Sequence, residues 1–105
     1  MHLSKQKIET LATYFQDKPV LKAYLFGSYA RGEADRKSDI DILVELDYSQ
    51  KIGMAFFGME AELEELVGKK VDLLTSEGLS PYVKPYIEAD KILIYERSNR
   101  RQGEA

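Results

Sequence analysis

Asp39-Ile40-Asp41 stands at the head of an apolar run that continues to Leu46. Residues two apart on a strand face the same side with Cα atoms about 6.6 Å apart, so the two carboxylates can converge on a shared hard cation, an oxygen-ligand arrangement that suits Mg2+. Packing gives no reason for such a pair, because like charges on one face repel and cost stability unless a cation offsets them. The plain alternative is a solvated strand end. Upstream, Gly27-Ser28-Tyr29-Ala30-Arg31-Gly32 puts two glycines around a strand-to-helix turn where backbone N–H groups are free and the chain can approach a ligand closely. Ser28 adds a hydroxyl and Arg31 a planar cation, which together describe a phosphate cradle. It is neither a P-loop, since no Gly-Lys-Ser or Gly-Lys-Thr follows, nor a G-x-G-x-x-G dinucleotide turn. A tight glycine loop without a ligand is the bland reading.

A two-metal site needs a third acid. Glu45 shares the face of Asp41, but four residues along a strand is about 13 Å, too far for ions roughly 3.5 to 4 Å apart. Asp72 interrupts an apolar strand, Val71 to Leu74, that can pair beside the Asp41 strand and bring its carboxylate over the same face. Its bland reading is an edge-strand charge that blunts aggregation. Asp35, on the connecting loop, ranks third. An EF-hand over residues 35–45 fails, because Lys37 occupies a ligand position and Ile40 stands where the sharp turn needs glycine.

The rest of the chain excludes most other chemistry. There is no cysteine, hence no disulfide framework, thiolate nucleophile, zinc finger or iron–sulfur cluster. The single histidine is His2, at the terminus, which argues against a Ser-His-Asp triad or a histidine metal site. Lys and Arg number 15 against 18 Asp and Glu, a formal charge of −3, so no overall field draws in nucleic acid or an anionic membrane. With 105 residues, 44% of them hydrophobic, the chain should form one soluble domain over residues 1–97 with a frayed polar tail over 98–105. No stretch approaches the roughly 20 apolar residues of a membrane span and the start lacks a signal-peptide run, so the expected location is the cytoplasm.

The elements that position these residues follow from periodicity. Ile8, Leu11, Ala12 and Phe15 make one stripe of a helix over residues 4–16, ended by Lys18-Pro19. Residues 20–26 read as a first strand and 40–46 as a second, with Ile40, Ile42, Val44 and Leu46 on one side and Asp41, Leu43 and Glu45 on the other. Phe56, Met59, Leu63, Leu66 and Val67 predict a second helix ending at Gly68. Residues 71–75 predict a third strand, Ser80-Pro81 opens a helix to about residue 89, and 91–95 predict a fourth strand. Met54, Phe57 and Ala61 fall off the helix stripe, and Tyr82 and Tyr86 share another helix face, so a partner surface is expected there, with a wide core face or a homodimer (a homo-oligomer of this chain) as the equal alternative. The order α-β-β-α-β-α-β implies an α/β (α+β) layer fold, a small mixed sheet with helices packed on one face.

Gly27-Ser28, ten residues, then Asp39-Ile40-Asp41 resembles the signature of the minimal nucleotidyltransferase (MNT) family of the polymerase-beta-like nucleotidyltransferase superfamily. The likeness extends to Ala30-Arg31-Gly32, Ser38, the strand after Asp41, and Asp72, and spans Tyr24 to Thr75. The resemblance implies that Gly27 and Ser28 hold the β- and γ-phosphates of ATP and that Asp39 and Asp41 bind two Mg2+ ions. Asp72 would complete the set as a metal ligand or as the base for the acceptor hydroxyl, with Arg31 and Ser38 as phosphate contacts. Larger relatives carry a helical domain for which this chain has no room. The resemblance therefore implies a separate helical HEPN ribonuclease toxin as partner, silenced when AMP moves from ATP to one of its tyrosines. The competing expectations are a non-catalytic antitoxin of the same fold, which neutralises by contact, and transfer to a small molecule such as an aminoglycoside.

Overall fold

The structure is a computed structural model and describes residues 2–97; the tail expected at 98–105 lies outside the described residues. Ser4 caps the first helix, α1 (Lys5–Phe15), its hydroxyl accepting from the Lys7 N–H at 3.1 Å. Leu11 and Phe15, from the expected stripe, are fully buried. Four strands follow, β1 (Val20–Phe26), β2 (Ile40–Leu46), β3 (Val71–Thr75) and β4 (Ile92–Glu96), in the sheet order β3-β2-β1-β4. β1 is antiparallel to both β2 and β4, whereas β2 and β3 are parallel.

A parallel pair needs a crossover, and two helices supply it, α3 (Gly53–Phe57) and α4 (Met59–Val67). One continuous helix was expected here; Gly58 interrupts it. Met59, Leu63 and Val67 keep the buried stripe, while Leu66, expected on it, is half exposed at its edge. Gly68 ends α4 in the left-handed conformation at φ 73°.

One sheet face carries Ala23, Leu25, Ile40, Ile42, Val44, Val71 and Leu73, all buried with α1 and α4 residues in a single apolar cluster. This is the hydrophobic burial that drives the fold. The other face carries Phe26, Asp41, Leu43, Asp72 and Leu74 by register. A short helix, α5 (Lys84–Asp90), lies beside it, where Ile87, Phe26 and Leu74 line one groove. Its start differs from expectation. Ser80 caps a turn, its hydroxyl accepting from the Tyr82 N–H and its carbonyl from the Val83 and Lys84 N–H groups, so the helix proper begins at Lys84. Among the described residues no helix is long and apolar enough to cross a membrane.

Candidate active site

The β2–β3 register pairs Asp41 with Asp72, and the β1–β2 register pairs Asp41 with Phe26. Phe26 leads directly into Gly27 and a one-turn helix, α2 (Ser28–Arg31), that the expected element order did not include. Adjacent strands therefore bring the third acid and the glycine turn to either side of Asp41. Gly27 adopts φ 74°, ψ −152°, open only to glycine without strain, and a Cβ there would collide with the Asp41 carboxylate. Asp39 lies just before β2, half-buried like Asp41 and Asp72.

The electrostatics match the crowding. Burial, the charge of Asp72, a hydrogen bond that only a protonated pair can make, and the charge of Asp39 raise the Asp41 carboxyl from 3.8 to about 6. Arg31 alone pulls the other way. Its guanidinium is taken up elsewhere, Nε by Glu33 at 2.9 Å and Nη1 by Asp90 at 2.6 Å, which ties α2 to α5. The expected phosphate contact at Arg31 is thus engaged with two carboxylates in this structure. Ser38 is likewise used within the loop, its hydroxyl accepting from the Asp35 N–H at 2.8 Å, which closes the turn just before Asp39. Asp35 points into that turn. Glu45 lies further along β2, beside Tyr24 and paired in register with Lys22.

The donors are all hard oxygens, and the destabilised carboxylate at their centre lacks a committed counter-charge, which fits a divalent cation. Among the described residues no three such side chains are already gathered as a ligand shell. The fit therefore rests on the Asp41–Asp72 pair with Asp39 near it. Beside the pair, Phe26, Gly27, Leu74, Tyr86 and Ile87 line an apolar groove of about 350 Å3, with the Arg31–Asp90 bridge at its rim.

Two positioning residues escaped the sequence reading. β3 is an edge strand, and its outward N–H groups at Val71 and Leu73, flanking Asp72, donate to Glu64 at 3.1 Å and Glu60 at 2.9 Å. The spacing of four places both glutamates on one face of α4, a visible signal, but their target is not. Glu60→Ala should lower stability by about 1–2 kcal/mol in urea unfolding, whereas Glu60→Gln, which keeps an acceptor, should lose less. Equal losses would show that the acceptor does not hold β3.

The domain model described as "Nucleotidyltransferase domain" matches residues 8–94. A protein of Methanocaldococcus jannaschii, provisionally assigned as a protein adenylyltransferase, is 44% identical over 82 residues, covering 75% of this chain and 82% of its own. The protein adenylyltransferase MntA of Thermococcus cleftensis is 35% identical over 82 residues, 73% of this chain and 82% of that one. A toxin–antitoxin crystal structure with AMP-PNP shares the fold at TM-score 0.69 and 24% identity, covering 97% of this chain and 80% of that one. A match running from α1 into β4, through the strands that set Asp41 beside Asp72, makes the chain a minimal member of the nucleotidyltransferase domain family.

Proposed function

We propose that this chain is a Mg2+-dependent protein adenylyltransferase that moves AMP from ATP onto a tyrosine hydroxyl of a helical HEPN ribonuclease toxin and so acts as its antitoxin in the cytoplasm. The observation that carries the reading is the register pairing of Asp41 with Asp72 against the Gly27 turn. The names of the adenylyltransferase relatives, and the toxin–antitoxin pair with AMP-PNP, support the reaction and the partner class.

In this reading Asp39, Asp41 and Asp72 would hold the Mg2+, which when bound lowers the pKa of an acceptor hydroxyl and offsets charge developing at the α-phosphorus. Gly27 and Ser28 receive the β- and γ-phosphates, where absence of a Cβ lets the backbone approach. Arg31 reaches the triphosphate by exchanging Asp90 for a phosphate oxygen, and Ser38 fixes the loop that presents Asp39. The groove beside Gly27 receives the nucleoside, with Tyr86, 75% exposed, as an aromatic wall. The acceptor hydroxyl gives up its proton, to the Asp72 carboxylate or to solvent, its oxygen forms the new bond to the α-phosphorus, and the bond from that phosphorus to the α–β bridging oxygen breaks as pyrophosphate leaves.

ATP should bind this chain only with a divalent cation, because carboxylates facing a triphosphate otherwise repel it. Calorimetry with and without Mg2+ checks this, and equal affinity in EDTA would contradict the site. Met54 and Phe57, each 79% exposed, form an apolar surface on α3 that suits the partner. Phe57→Glu should leave the monomer's thermal midpoint unchanged and weaken toxin binding at least about tenfold, the effect expected of one anchoring aromatic. A folded variant that co-purifies with the toxin as wild type does would remove α3 from the interface.

A further inference from the structure

Where the start of α1, α2 and the α4–β3 turn meet, a second concavity of about 380 Å3 is lined by His2, Ser4, Lys7, Tyr29, Arg36 and Lys69. No carboxylate lines it, in a chain of net charge −3. Of the described arginines, Arg31 and Arg97 are held in ion pairs with Asp90 and Asp47, whereas Arg36 makes none among the described residues. Lys7 and Lys69 also lack a carboxylate partner there and are instead steadied by backbone carbonyls. The Lys7 ammonium donates to Val67 O and the Lys69 ammonium to Arg36 O, each at 2.9 Å. Each ammonium has three donors, so two remain on both.

Asp35, the nearest acid in sequence to Arg36, accepts instead from the Lys37 N–H and the Ser38 hydroxyl. Tyr29 is 4% exposed, its ring centroid lies 5.8 Å from the Lys69 nitrogen, and its hydroxyl makes no hydrogen bond among the described residues. The His2 ring covers Gly32 so closely that a Cβ there would lie 2.7 Å from Cε1. Two ammonium groups held by backbone carbonyls, and an exposed Arg36 guanidinium with no ion pair among the described residues, surround a pocket without acids and form a site for a multivalent anion. A terminal phosphate, with three non-bridging oxygens, uses this many donors better than a carboxylate does, and a run of phosphodiesters presents two such oxygens on each of several neighbouring groups. The volume falls within the ligand range of roughly 300–1,000 Å3 and admits more than a bare phosphate.

We propose that this pocket is an anion site for a nucleotide phosphate, lying behind α2 and separate from the Asp41–Asp72 pair. The phosphate comes either from a free mononucleotide or from the backbone of a single-stranded RNA, and one titration separates them. Fluorescence anisotropy with labelled oligouridine, and calorimetry with AMP, are run in EDTA on wild type, Arg36→Gln, Arg36→Gln/Lys69→Gln and Asp41→Asn. One of the two probes should bind wild type, and binding should fall about tenfold in Arg36→Gln and further in the double variant. Asp41→Asn should bind as wild type, which keeps this outcome independent of the transferase reading. If RNA is the ligand, the double variant should also reduce the salt slope by about 0.7 for each phosphate that is no longer neutralised. Thermal midpoints serve as the folding control, and Arg36→Gln, altering an exposed side chain, carries the test alone if the double variant unfolds. The proposal is overturned if neither probe binds at millimolar concentration, if binding is unchanged in folded Arg36→Gln, or if polyglutamate displaces the probe as well as pyrophosphate does.

Discussion

Asp41→Asn should abolish adenylyl transfer and at the same time stabilise the metal-free chain by about 1–2 kcal/mol at pH 7.5, after discounting a half-buried group for solvent screening. The two effects have one cause. Burial first, and then the neighbouring Asp72 and Asp39, hold the Asp41 carboxyl at about 6, so its charge opposes folding at neutral pH until a cation is bound. Because the folded-state value lies above the unfolded one, metal-free wild type should gain stability as pH falls from 7.5 through 6 toward 4. The Asn variant should show no such gain. A second group sets the acid limit with the opposite sign. Ser49, Arg97 and Gln50 hold Asp47 well below the usual carboxylate range, so its contribution is present above about pH 4 and lost below it. Urea unfolding in EDTA at pH 7.5 and 5 checks the prediction. A variant less stable than wild type at pH 7.5 would show that Asp41 is held by contacts rather than strained by its neighbours.

Gly27→Ala should reduce transfer about 100-fold or more and lower stability by about 1–3 kcal/mol. Two penalties add at this position. The φ of 74° strains any L side chain, and the new methyl meets the Asp41 carboxylate, which must move away from Asp72. Gly68→Ala separates them, since Gly68 has φ 73° but no atom within 4 Å of a Cβ. That variant should lose stability from strain alone and retain its transfer rate. If Gly27→Ala transfers as well as Gly68→Ala does, the close approach of the turn to Asp41 has no role in the reaction.

Much of this site was legible in the chain because it is built from strand ends. The period-2 run at Ile40–Leu46 fixes which face Asp41 occupies, and Asp72, in a run with Val71 and Leu73 on the buried side, can only share that face once β3 pairs with β2. Glu45 shares that face too, but lies about 13 Å along the strand, too far for a shared pair of ions. What sequence could not show depends on contacts between distant segments. Nothing local indicates that Arg31 is held by Asp90, or that Glu60 and Glu64 bond to the edge of β3. The break at Gly58, where the backbone takes φ −98° and ψ 0°, was not legible because the apolar stripe runs across it without a change of period, and periodicity does not register a single interrupted turn. Ser80-Pro81 began a turn rather than the helix because Ser80 places its oxygens on Tyr82, Val83 and Lys84, one turn before α5.

The most direct test of the Asp41–Asp72 assignment is the intact mass of a co-purified HEPN toxin after incubation with this chain, ATP and Mg2+. The toxin should gain whole AMP units with the wild-type chain, and none in EDTA, with Asp41→Asn or with Asp72→Asn. The assignment is contradicted if Asp41→Asn modifies the toxin at the wild-type rate, or if the wild-type chain silences a toxin whose mass does not change.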